Sequence, residues 1–159
     1  MKSGLGISPP SGPRKDGSRL SVVLDLFSRR VIAWAMAACQ DQSLVEAALR
    51  MALLGRHPPA HLLFHSDRGS QYPSEGYRAL LAEVEITASR SRTANWYENA
   101  VTEAFFGTLK GQCVERVCLQ TRGQAKQAIF EYVECFSHRL RRPSSLGSLS
   151  PVVYEQLMC

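Results

Sequence analysis

The sequence predicts a mixed α/β domain with helices on both faces of its sheet, and three observations carry that prediction. Two short apolar runs, residues 20–25 and 31–36, flank a polar corner. A strand, helix, strand alternation follows them. Two long segments with apolar residues at helical spacing come next. With 159 residues and 45% apolar composition, the chain is long enough to bury one sizeable core.

Residues 1–19 hold Pro9, Pro10 and Pro13 among glycines and serines. Proline fixes φ and donates no hydrogen bond, so a disordered or poorly packed arm is expected there. The runs Leu20-Ser21-Val22-Val23-Leu24-Asp25 and Val31-Ile32-Ala33-Trp34-Ala35-Met36 read as an antiparallel hairpin turned at Ser28-Arg29-Arg30. Ser43 caps a helix whose Leu44, Ala47, Ala48, Met51 and Leu54 recur at helical spacing; that face should lie on the sheet, and Pro58-Pro59 stops it. A buried strand over 61–66, a helix over roughly 74–84 and a strand over 86–88 complete the alternation. Residues 89–95 are polar and loop-like. Glu98 or Asn99 opens a long helix to about Gln112, and Thr121 opens another to about Arg139 with Ala125, Ala128, Ile129, Tyr132, Val133 and Phe136 as its buried stripe. Residues 141–159 form a basic tail in which Ser150-Pro151 starts a last short helix.

A formal charge of +5 suits a polyanionic partner, because lysines and arginines that neutralise phosphates release counterions. The five cysteines form no Cys-x-x-Cys pair and their number is odd, which argues against a zinc ribbon or a disulfide framework. Nothing in the sequence has the length of a membrane span, and Met1-Lys2-Ser3-Gly4 does not lead into a signal peptide. A cytoplasmic protein is expected.

Asp67 and Glu103, with 35 residues between them, are the candidate chemistry. Asp67 stands where a strand ends, the place where open α/β sheets bind ligands. Glu103 stands early in a helix, where Asn99, Glu103, Phe106 and Lys110 share one face and Val101, Phe105 and Leu109 the opposite, more buried one. An acid, an amide and a lysine on one stripe suit a hard cation such as Mg²⁺ together with a phosphate. An acid pair at that separation occurs in many soluble chains, so the neighbouring words decide its weight.

Those words are Phe64-His65-Ser66-Asp67-Arg68-Gly69-Ser70-Gln71-Tyr72, Asn99-Ala100-Val101-Thr102-Glu103-Ala104-Phe105-Phe106-Gly107-Thr108-Leu109-Lys110, Asp25-Leu26-Phe27-Ser28-Arg29-Arg30, and Arg141-Arg142-Pro143-Ser144-Ser145-Leu146-Gly147 with Leu149-Ser150-Pro151. In order and spacing they resemble the catalytic core of bacterial insertion-sequence transposases, the group with a retroviral-integrase-like core of the aspartate, aspartate, glutamate type. The resemblance covers roughly residues 20–155 and implies a ribonuclease H-like fold, with residues 20–140 as the core-like domain. It implies that Asp67 and Glu103 are catalytic acids and ligands of Mg²⁺ or Mn²⁺. It further implies that Lys110 approaches DNA. Asn99, Arg90, Arg92, Arg141 and Arg142 join it as candidate DNA contacts, solvated surface charge being the plainer reading of the arginines. The implied reaction is phosphodiester hydrolysis at an element end followed by strand transfer. The implied partners are element-end and target DNA and further copies of the chain.

The sequence also departs from that pattern. The family carries its first catalytic aspartate on its first strand, in a Thr-Asp-Ile-Thr-like word upstream of the position that Asp25 matches. Here the region reads Leu5-Gly6-Ile7-Ser8-Pro9-Pro10, so a first strand largely missing or altered is expected, in an N-terminally truncated core with weak metal binding and impaired turnover. Asp25 matches a non-catalytic position, and its plainer role is to hydrogen-bond the hairpin corner. The alternative to an impaired enzyme is a catalytically dead remnant that binds DNA or oligomerises.

Overall fold

A computed structural model describes residues 2–4, 19–38, 42–56, 62–66, 75–89, 96–114, 121–140 and 142–158. β1 (Lys2–Gly4) pairs antiparallel with β2 (Arg19–Leu24), and β2 pairs antiparallel with β3 (Val31–Ala37). On its other side β1 runs parallel to β4 (Leu63–Ser66), and β4 runs parallel to β5 (Thr87–Ser89). The strand order is β3-β2-β1-β4-β5, a mixed sheet.

The central place of β1 corrects the expected arm at residues 2–4 and, of the expectation that the first strand is largely missing or altered, the first half. Ladder bonds are made by backbone N–H and C=O groups whatever the side chain, and β2 and β4 each offer an edge to be paired. A segment of lysine, serine and glycine therefore enters the sheet although none of the three favours strands. Residues 5–18 of the expected arm lie outside the described residues.

Side chains alternate across a strand, and β2 is buried on both faces. Leu20, Val22 and Leu24 join Val31, Phe105, Leu109, Ile129, Tyr132 and Val133 in one core. Val23 and Ala33 join Phe64, Val45, Ala48, Leu49 and Ala52 of α1 (Gln42–Gly55), and Tyr77, Leu80 and Leu81 of α2 (Glu75–Glu83) in the other. Helices thus cover both faces, as the alternation of elements predicts.

The buried face of α1 differs from the expected one. Leu44, Val45, Ala48, Leu49 and Ala52 are buried, whereas Ala47, Met51 and Leu54 are exposed. Both stripes recur at helical spacing; the sheet takes the one that buries Val45 and Leu49 and leaves Arg50 in solvent.

α3 (Trp96–Leu109) and α4 (Arg122–Glu131) match the two long helices and run on as π-helical segments over Lys110–Val114 and Tyr132–Leu140. Thr121 caps α4 as expected: its hydroxyl accepts from the Gln124 N–H, and the Gln124 side chain accepts from the Thr121 N–H, each at 3.2 Å. A 3₁₀ turn, Ser144–Leu146, ends at Gly147 with φ 62°, the left-handed conformation that glycine tolerates. The last helix, α5 (Pro151–Met158), begins with proline at its first position.

α5 is clasped to the hairpin corner. Arg30 Nη1 donates to Glu155 Oε2 at 2.7 Å, Arg56 pairs with the other Glu155 oxygen, and the Phe27 and Tyr154 rings lie 5.4 Å apart. Residues widely separated in sequence thereby join the end of α1, the β2-β3 corner and α5.

Candidate active site

α3 presents two unlike faces. Phe105 and Leu109 are buried in the second core, and the Phe105 ring meets Phe106 and Tyr132 edge-on at 5.4 and 5.9 Å. Val101 is half-buried on that side. Glu103 and Lys110 are exposed, with Phe106 half-buried between them. Seven residues of helix separate the acid from the lysine by roughly 10 Å along the axis. The apolar stripe anchors the helix, so the charged one necessarily faces solvent.

Asn99 belongs to α3, and Arg142 is exposed just after the π-helical segment that extends α4. β4 ends at Ser66, the residue before Asp67; Asp67 itself, Arg90, Arg92 and Arg141 lie outside the described residues. β1 lies beside β4 with Lys2 opposite His65 and Ser3 opposite Ser66. The strand next to β4 therefore contributes no carboxylate. Among the described residues no cluster of three or more His, Cys, Asp or Glu can hold a metal ion. Mg²⁺ is held by oxygen ligands and keeps several waters, and its affinity depends on the carboxylates supplied. A β1 without one does not fit a site built from three acids.

Asp25 is engaged at the corner, as its plainer reading expects. Its Oδ1 accepts from the Phe27 N–H and its Oδ2 from the Ser28 hydroxyl, both at 3.0 Å. The Asp25 N–H donates to the Arg30 carbonyl at 2.9 Å, and Arg56 lies 3.9 Å from the carboxylate. A carboxylate holding its own turn is poorly suited to replace a metal ligand.

Two features escape sequence reasoning. His138 is buried, with Nδ1 3.5 Å from the Glu134 carboxylate and neither ring nitrogen in a formed hydrogen bond among the described residues. Burial lowers its pKa; Glu134 pulls it up and Arg30 pushes it further down. The second is a cavity of about 230 Å³ beside α3, walled by residues from four parts of the chain, among them Arg29, Ala100, Ala104 and Pro143. These positions lie in three separate words of the sequence, and nothing local shows that the words meet around one cavity.

A mixed five-stranded sheet with helices on both faces and an acid-bearing helix beside it defines a ribonuclease H-like integrase core. Residues 11–95, more than half of the chain, match a family model described as integrase core domain, and residues 103–158 match a second with the same description. The chain belongs to the integrase core domain family. It is 37% identical over 145 residues to the transposase for insertion sequence element IS904 of Lactococcus lactis, covering 91% of this chain and 57% of that one. It is 40% identical over 136 residues to transposase InsF for insertion sequence IS3A of Escherichia coli, covering 86% and 47%. The chain spans about half the length of the relatives it matches. Among solved structures, the catalytic core domain of BIV integrase superposes with a TM-score of 0.69 at 16% identity, over 99% of this chain and 93% of that one. The HTLV-2 integrase catalytic core domain in complex with magnesium superposes at 0.66 and 14% identity, over 94% and 90%. These two likenesses show a shared fold. Among the described residues no helix is long and apolar enough to cross a membrane.

Proposed function

We propose that this chain is a transposase-type core that holds DNA along the exposed stripe of α3 and the basic segment beginning at Arg141, and whose phosphodiester hydrolysis and strand transfer are impaired. The observation that carries the reading is β1: the strand in the middle of the sheet, beside β4, is Lys2-Ser3-Gly4. Asp67 and Glu103 are then the remaining catalytic acids, and two carboxylates hold Mg²⁺ or Mn²⁺ weakly. Lys110 and Asn99 on α3, with Arg90, Arg92, Arg141 and Arg142, contact the DNA backbone, an interaction that weakens steeply with salt. Residues 20–140 form the core unit, joined by the short β1, and 141–159 the basic tail. Further copies of the chain assemble on the DNA. The catalytically dead, DNA-binding remnant is favoured by the same β1 and differs only in having no residual turnover.

The test is a strand-transfer assay on oligonucleotides in Mg²⁺ and in Mn²⁺, run beside salt-dependent DNA binding. The expected result is DNA binding with little or no strand transfer, and a gain of strand transfer when aspartate replaces one of Lys2, Ser3 or Gly4. Strand transfer by the unaltered chain at the level of an intact transposase overturns the impairment. Absence of DNA binding at low salt overturns the whole reading.

A further inference from the structure

We propose that His138 is an acid-sensitive latch: while its ring is neutral, the π-helical segment Tyr132–Leu140 stays packed against β3 and α5, and protonation of the ring releases α5. The ring is 3% exposed, and among the described residues neither of its nitrogens makes a hydrogen bond. A neutral imidazole so placed loses the solvation of two polar atoms, and a charged one loses far more. The seat strongly favours the neutral form. On the ring's own segment the Glu134 carboxylate lies 3.5 Å from Nδ1, but that side chain is 44% exposed and solvent screens its attraction. Arg139 beside it is exposed. At the hairpin corner Arg30 repels a second cation, Asp25 holds its own turn, and the Val31 backbone lies beside the ring. From α5 comes Glu155, whose carboxylate Arg30 and Arg56 already engage. β3 carries no charged side chain, while Arg122, Lys126 and Glu131 of α4 and Glu103 and Lys110 on the outer stripe of α3 are exposed. One half-exposed acid therefore stands against burial and Arg30.

Hydrating the ring requires one neighbouring element to withdraw. β3 is paired along its length with β2, whereas only Pro151 is buried among the eight residues of α5, and Val153, Leu157 and Met158 are exposed. An element with few buried apolar contacts opens at low free energy. What else ties α5 down is the Glu155 clasp, and one of its two arginines is the Arg30 that faces the ring. A proton on His138 thus places a second cation at the root of the clasp. Burial, opposed by Glu134 and helped by Arg30, lowers the pKa of the seated ring from 6.5. The released ring regains the ordinary value and binds a proton more readily, so opening gains weight as pH falls from 6.5 toward the lowered value. Above 6.5 both forms are neutral and the latch is shut. The latch is independent of DNA.

The experiment follows amide hydrogen exchange of the full chain by mass spectrometry between pH 7.5 and pH 5, with protection corrected for the intrinsic pH dependence of exchange. The lower limit keeps Glu155 ionised, so the clasp does not titrate in the window. The expected result is a several-fold fall in protection of residues 151–158 by pH 5, at most about tenfold per pH unit for one proton, while residues 19–37 of the hairpin keep theirs. His138→Leu, an apolar side chain of similar size that does not titrate, abolishes the pH dependence. Glu134→Gln, at a half-exposed position, removes the acid that favours the seated cation, so it leaves protection at pH 7.5 unchanged and deepens the fall at pH 5. Protection of 151–158 that is constant across the window overturns the latch, and so does the same fall in His138→Leu. Simultaneous loss in the hairpin also overturns it, since the whole domain then unfolds. Should His138→Leu fail to fold, a fall in Glu134→Gln no deeper than in the unaltered chain overturns the role of the ring.

Discussion

Replacing Glu155 with glutamine releases the clasp that holds α5 to the rest of the domain. The carboxylate accepts from Arg30 at 2.7 Å and pairs with Arg56 through its other oxygen; the glutamate side chain is 16% exposed and the two arginines 35% and 32%. The substitution leaves two guanidiniums together without their shared anion. Hydrogen bonds to a charged group are worth about 1.5–3 kcal/mol each when one partner is removed, and solvent at the arginines screens part of that, so about 1–2 kcal/mol in all is expected. The loss also depends on pH. Arg56 above all, and Arg30 beside it, hold the Glu155 carboxyl below its ordinary 4.5, against a partial burial that pushes the other way. A carboxyl lowered in the folded state contributes stability that is full above the ordinary value and disappears as pH falls through the lowered one. Urea unfolding at pH 7 and again near pH 3 should therefore show a large gap between E155Q and the unaltered chain at the first pH and a smaller one at the second. A gap below about 0.5 kcal/mol at pH 7, within the range of ordinary surface substitutions, refutes the clasp. So does a gap that is the same at both pH values.

His138, with its pKa lowered chiefly by burial, takes up its proton more readily in the unfolded chain, so stability should fall as pH drops from the ordinary 6.5 to the lowered folded value. The slope is at most about 1.4 kcal/mol per pH unit, and His138→Asn should flatten it in urea titrations between pH 5 and 8. Glu103→Gln, at an exposed helix position, should change the melting temperature little and weaken Mg²⁺ binding in calorimetry; tight Mg²⁺ binding that ignores the substitution rules out Glu103 as a ligand. Lys110→Ala should lower the dependence of log binding constant on log salt by about one ion, read from DNA titrations at several salt concentrations.

The hairpin, the order of helices and strands from β2 onward, the Thr121 cap and the exposed stripe of α3 were all legible in the sequence, because each is written in residues a few positions apart. Asp25 was legible for the same reason: its hydrogen-bond partners are two and three residues away. The words around Asp67 and Glu103 were specific enough to point to the integrase core family. α1 shows where such local reading stops. Its two candidate stripes have the same period, and only the sheet beneath decides that Leu49 is buried and Leu54 is left 84% exposed.

By itself, then, the sequence determined which segments after the first strand become strands and helices and pointed to the family, since propensity, capping and motif spacing are short-range properties of the chain. Tertiary structure alone decided that Lys2–Gly4 stands in the middle of the sheet, that Glu155 joins Arg30 to Arg56, and that Arg29, Ala104 and Pro143 enclose one cavity. Ladder bonds, ion pairs and cavities depend on distances between residues tens of positions apart. Such distances exist only once the cores on both faces of the sheet have packed.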